Sequence, residues 1–396
     1  SSLINAILLT SLLSQAALAE PDPKQGGVVF DGPLENVVLS EQQPGEHRVW
    51  VNDWQGGLYA RAVLFDSASG EVLGSVETGW EGVKLDIPRN GDVVYNSALY
   101  MSRGYHGERT DVLEFFNRLT LQLEGEIVLP PKAGRGLPNT NHSDLSDDDR
   151  FLFLTFFTPS ASVGIVDLES RQYVGEIETA GCAYVMAAGE RRFFSLCGDG
   201  SILSVDIDDT GRELSRKRYS ALFDAVVDPL HGTAVRAGNY WYFVTHLGVV
   251  HSIDVSGKEL KHKILWEAGA KSGDQTAWVP AEMFQNLAHH ESMQRLYVLL
   301  GDQSLVPKGG GTDYHRQSGT EVWVFDINTG QRVERFKLPE PMFSIAVSQD
   351  DSPLLYASSM WLPKVYVFDA VSGKELRQIE TAYGSMNTII QPVEPR

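Results

Sequence analysis

The 396-residue sequence predicts an all-β fold, a seven-bladed propeller of four-stranded antiparallel blades, and three observations carry that reading. A β-branched or aromatic run, an Asp or Asn, a few polar residues often including Gly, and a second β run recur along the chain. The markers Asp66, Asn117, Asp167, Asp206, Asp254, Asp326 and Asp369 are separated by 51, 50, 39, 48, 72 and 43 positions. Most of these gaps match a four-stranded blade of roughly 40 to 50 residues. The composition, 42% hydrophobic and 21% charged, supplies a large core and excludes a disordered chain.

Taken in order, residues 1–19 read as a secretory signal whose beginning is missing: they are apolar from Leu3 to Leu13 and end in the cleavage pattern Ala17-Leu18-Ala19. That run is too short for a hydrocarbon core needing about 20 apolar residues, so no membrane anchor is expected. Residues 20–45, rich in Pro, Gly and Glu, read as an extended arm, and 46–396 as a single propeller domain. Within each blade the Asp or Asn caps a tight hairpin through its side chain, and Gly accepts the positive φ where a Cβ would clash. The 72-residue gap holds an insertion that includes the glycine-rich LVPKGGGTDYHRQSG. Asp147-Asp148-Asp149 reads as an acidic turn between strands, because no alternating calcium-loop frame is present.

Cys182 and Cys197 flank two β-prone runs around Ala188-Gly189-Glu190-Arg191, so an antiparallel hairpin sets them opposite one another. A disulfide is geometrically natural there, and an oxidising compartment would allow it. Two buried thiols are the alternative; the absence of a C-x-x-C spacing argues against a redox-active pair.

The search for chemistry returns no catalytic, cofactor or metal residues in this chain. There is no HExxH, G-x-S-x-G, P-loop or G-x-G-x-x-G after a strand. His289 and His290 are adjacent on a strand and point to opposite faces, which disfavours joint ligation. His142, His246 and His315 are scattered, and only a propeller channel would gather them. Trp54 and Trp361 lie in segments that would be loops at the ring's face. A net charge of −19 repels phosphates, so nucleic acid is not a partner.

Several segments together carry a specific resemblance: GERTDVLEFFNRLTLQLEGEIVLPP (107–131), SASVGIVDLESRQYVGEIETAGCAYV (160–185), FFSLCGDGSILSVDI (193–207), WVPAEMFQNLAHHESMQRLYVLL (278–300) and VYVFDAVSGKELR (365–377). The chain resembles the heavy subunit of the quinoprotein amine dehydrogenases, the methylamine and aromatic amine (aralkylamine) dehydrogenases. The resemblance implies a periplasmic assembly of two heavy and two small disulfide-rich light chains. The light chain would carry the tryptophan tryptophylquinone cofactor and the catalytic base, leaving this chain cofactor-free. Primary amines would leave as aldehyde and ammonia, and electrons would pass to a small copper protein, amicyanin-like or azurin-like. The heavy chain would hold the light chain and wall the substrate channel. In the segment aligning with the family's channel aromatic, this loop is shorter, and Trp54, Leu58 and Tyr59 are the candidates.

Two other classes compete with this one. A self-sufficient lactonase-like propeller hydrolase would need carboxylates and a metal in the channel, and a binding scaffold would have kept the ring and changed its partner.

Overall fold

A computed structural model describes residues 38–394 except 55–58, 81, 83, 135–137, 232, 270–276, 283, 303–317 and 383–385. The signal segment and most of the arm therefore lie outside the described residues, as do Leu58, His315 and most of the glycine-rich insertion.

Sheet I joins the two ends of the described chain: its strands run Asn387–Val393, Arg48–Asp53, Tyr59–Asp66 and Val72–Trp80 in spatial order. Sheet II is Leu85–Asp86, Val93–Met101, Arg109–Asn117 and Leu123–Leu129; sheet III is Ser143–Leu145, Phe151–Phe156, Ser162–Asp167 and Gln172–Glu178. Sheet IV is Cys182–Ala187, Arg192–Cys197, Ile202–Ile207 and Glu213–Tyr219; sheet V is Val235–Ala237, Tyr240–Val244, Val249–Asp254 and Lys261–Glu267. All named pairs are antiparallel, the signature of consecutive hairpins.

The expectation of seven four-stranded blades requires correction. Among the described residues there are five four-stranded blades, and the remaining strands form one eight-stranded sheet, sheet VI. The cause is the 16-residue strand Arg332–Val347. Its first half pairs with Gly319–Asp326, placing Phe336 opposite Val322, and its second half pairs with Leu354–Ser359, placing Ile345 opposite Ala357. Between the halves stand Pro339 and Pro341. Neither has an N–H to leave unsatisfied, and both accept extended backbone, so the connection continues as strand. Lys364–Asp369 and Glu375–Glu380 complete that side; on the other, Trp278–Pro280 and Leu287–His290 both pair with Arg295–Asp302.

The marker hairpins obey the predicted chemistry. Asp66 Oδ1 accepts the N–H groups of Ala68 and Ser69 at 2.9 and 2.7 Å, and Gly70 takes φ 77°. Asp369 repeats this with Val371, Ser372 and Gly373. Where no glycine is available, Leu121 and Arg171 carry the positive φ after Asn117 and Asp167. One marker is displaced: in sheet IV the cap is Asp208, which accepts from Thr210 and Arg212, while Asp206 stays within its strand opposite Arg192.

Each blade buries its faces against its neighbours. Phe153 of sheet III packs against Phe193 of sheet IV at 5.2 Å between ring centres, and Phe194 meets Trp241 of sheet V edge-on at 6.3 Å. Each of these fully buried aromatics is worth about 2–3 kcal/mol of transfer free energy.

Candidate functional site

The disulfide forms, with Cys182 directly opposite Cys197 in sheet IV. The hairpin is less symmetric than its spacing suggested: the register slips by one residue between Ala183 and Met186, and Tyr184 takes φ 62°. This bulge lets the Tyr184 ring sit 5.7 Å from His142 and 6.4 Å from Phe157.

The first strands of sheets I, II, III and V converge on one cavity of about 620 Å³, the centre of the ring. Alternation along Lys84-Leu85-Asp86 sends both charged side chains to the same face. Lys84 Nζ stands 2.9 Å from Asp86 Oδ1, and the Ser143 hydroxyl donates to Asp86 Oδ2 at 2.7 Å. Asp144 accepts the Ala187 N–H at 2.7 Å; burial raises its pKa despite the pull of Lys84. For Lys84 the balance is reversed: burial lowers its pKa, but Asp86 and Asp144 outweigh that and hold it protonated. Arg236 forks onto Asp147 at 2.5 and 2.8 Å, and Arg191 reaches Asp148 at 2.7 Å, so the acidic triplet is a turn tied down by arginines. The sequence reading missed Lys84, Asp86 and Asp144, although their spacing along short strands was a usable signal.

Among the described residues, the histidines do not assemble into one centre. His142 packs at a tilt beside Phe157 and Tyr184, His246 pairs with Glu282, and His290 donates to the Asp350 carbonyl at 2.9 Å while burial pulls neighbouring His289 down to about 4. Among the described residues no group of three or more His, Cys, Asp or Glu is placed to hold a metal ion.

The loop candidates lie at one topological position, the link between the second and third strands of a blade. Trp54 leaves the end of Arg48–Asp53 and donates its N–H to the Met386 carbonyl at 3.1 Å; its buried indole N–H has no acceptor among the described residues. Tyr59 opens the next strand opposite Trp80 and is 52% exposed. Sheet I also borders a cavity of about 130 Å³ lined by Val51, Phe65, Asn387 and the Asp53–Arg61 pair, 3.2 Å apart; neither Trp54 nor Tyr59 lines it. The equivalent links in sheets II and VI expose Tyr105, Trp361 and Leu362, so neighbouring parts of the ring present uncovered apolar side chains.

A model of the family described as methylamine dehydrogenase heavy chain matches residues 45–393, nearly the whole ring. The chain belongs to the methylamine dehydrogenase heavy chain family. The methylamine dehydrogenase heavy chain of Methylophilus methylotrophus is 29% identical over 392 residues, covering 96% of this chain and 93% of the relative. That of Paracoccus versutus is 27% identical over 352 residues, covering 87% and 79%. Among solved structures, the periplasmic gluconolactonase PpgL of Pseudomonas aeruginosa aligns at a TM-score of 0.59 with 16% identity, over 89% of this chain and all of that one. The hydrazine synthase of Kuenenia stuttgartiensis aligns at 0.52 with 13% identity, over 88% of this chain and 99% of that one. At such identities these two likenesses concern the propeller fold alone.

Proposed function

We propose that this chain is the heavy subunit of an exported, periplasmic amine dehydrogenase that scaffolds a small light chain and forms one wall of the amine's path. The observation that carries the reading is the family match over residues 45–393, which embraces both strands that close sheet I. Membership makes the chain part of an oxidoreductase complex acting on amines and implies a light-chain partner. The finer statements are ours: a primary amine is oxidised to aldehyde and ammonia, two heavy chains assemble with two light chains, and electrons leave to a small copper protein.

The tryptophan tryptophylquinone of such a complex would supply the electrophilic carbonyl chemistry from the light chain. This chain's own tryptophan pair does not fit that role. Trp278 and Trp323 are buried 5.8 Å apart in sheet VI, where Trp323 donates to Glu321 and both rings pack against Arg335. They are core residues.

What this chain contributes is shape and desolvation. In this reading Trp54 and Tyr59 flank the mouth nearest the light chain; exposed Tyr59, Tyr105 and Trp361 offer the large amphipathic side chains that interfaces favour. An acceptor from the light chain would also complete the buried Trp54 indole N–H.

Co-expression with a small disulfide-rich light chain tests the proposal. We expect a complex stable to gel filtration that oxidises primary amines with an artificial acceptor and shows a quinone absorption band. Amine oxidation by the isolated heavy chain, or failure of any light chain to copurify from the native host, would reject it.

A further inference from the structure

Sheets IV and V enclose a groove of about 660 Å³ that belongs to neither the channel nor the Trp54 loop. Phe223 and Val226, from the connection leaving sheet IV, line it together with Val249 and Ile264 of sheet V. Val226 is 90% exposed and Ile264 65%, so this apolar lining is open to solvent.

The other lining residues include three carboxylates, Asp199, Asp224 and Asp228, and among the described lining residues there is no Lys or Arg. Asp199 has Arg218 at 3.4 Å. Asp224 and Asp228 have no Lys or Arg ion pair among the described residues; backbone amides hold them instead. Asp224 Oδ1 accepts the N–H groups of Val226 and Val227, both at 2.9 Å, and Asp228 Oδ1 accepts that of Leu247 at 2.7 Å. These carboxylates are held in place by backbone amides, which is what a preorganised cation-binding rim requires.

We propose that this groove docks a basic segment of a protein partner other than the light chain, with an apolar side chain seated against Val226 and Ile264 and flanking Lys or Arg residues meeting Asp224 and Asp228. A second copy of this chain is a poor occupant of this groove, because a chain with 33 Lys and Arg against 52 Asp and Glu offers the carboxylate rim few cations. A neutral apolar ligand would gain nothing from the rim, and a simple cation nothing from the apolar walls. The inference uses only sheets IV and V, so it stands or falls separately from the amine-dehydrogenase reading.

The test is fluorescence anisotropy of a labelled peptide of alternating Lys and Val, titrated with the full chain at low and physiological salt. Asp224→Asn with Asp228→Asn keeps each Oδ1 acceptor and removes the charge. We expect about tenfold weaker binding and a flatter salt dependence. Val226→Ser with Ile264→Ser should cost about tenfold as well, whereas Val371→Ser, an exposed apolar position outside the groove, should leave binding unchanged. Unchanged circular dichroism and Tm would tie these losses to the groove. Equal affinity in the Val226/Ile264 variant would mean diffuse attraction to an acidic chain and would overturn the proposal. Peptide binding abolished when a light chain is copurified would assign the groove to that chain and overturn it equally.

Discussion

Lys84 and Asp86 form a 2.9 Å ion pair at the junction of two cavities: the lysine lines both the large central one and a small one of about 20 Å³ beside His142 and Thr155. Its ammonium group is the charge that Asp86 and Asp144 share. Replacing Lys84 by Met should leave the buried Asp86 without its ion-pair partner and Asp144 with Arg236 as its remaining cation, and cost about 3 kcal/mol of stability. Urea denaturation checks this, and Lys84→Arg should recover part of the loss.

The sheet IV disulfide closes a loop of 15 residues. The chain-entropy model assigns such a bridge about 3 kcal/mol. Cys182→Ser with Cys197→Ser should therefore lower the denaturation midpoint by a corresponding amount, and a reducing agent should do the same to the wild-type chain while leaving the double variant unaffected.

His251 is buried in sheet V and exchanges a 2.8 Å hydrogen bond with His262. Burial, with a smaller contribution from the His262 charge, pulls its pKa down to about 4. The unfolded chain, with histidine near 6.5, then binds more protons than the folded one between those values. Stability should fall as pH drops from 7 toward 4. Thermal melts of wild type and His251→Gln should converge as the pH is lowered; parallel curves would refute the assignment.

Trp54 and Tyr59 flank residues 55–58 at the mouth we assign to the amine's path. In an assembled complex, Trp54→Ala and Tyr59→Ala should shift kcat/KM between short and aromatic amines by about tenfold, since one apolar contact is worth 1–3 kcal/mol in discrimination. Unchanged selectivity would remove both residues from the path.

Legibility followed locality. The Asp-capped hairpins could be read because cap, glycine and β run lie within a few residues of each other. Even the exceptions are local: Asp208 in place of Asp206, and Leu121 and Arg171 at positive φ. The merging of blades in sheet VI was hidden because Pro339 and Pro341 look like punctuation in sequence, and only the neighbouring strands decide that the backbone runs straight through them. The channel residues were missed for a related reason. Lys84 and Asp86 sit on one short segment of sheet II and Asp144 on sheet III, and only the packing of one blade against the next brings the two segments together. Of the predicted loop residues, Trp54 and Tyr59 are found at one end of sheet I, and Leu58 lies outside the described residues.

Sheet I needs Asn387–Val393 beside Arg48–Asp53, with Val51 opposite Ile390. Arg48–Asp53 leaves the ribosome long before Asn387–Val393, so its edge stays unclosed until that distant strand is made. Deleting Asn387–Val393 would leave the edge permanently open to pairing with other chains.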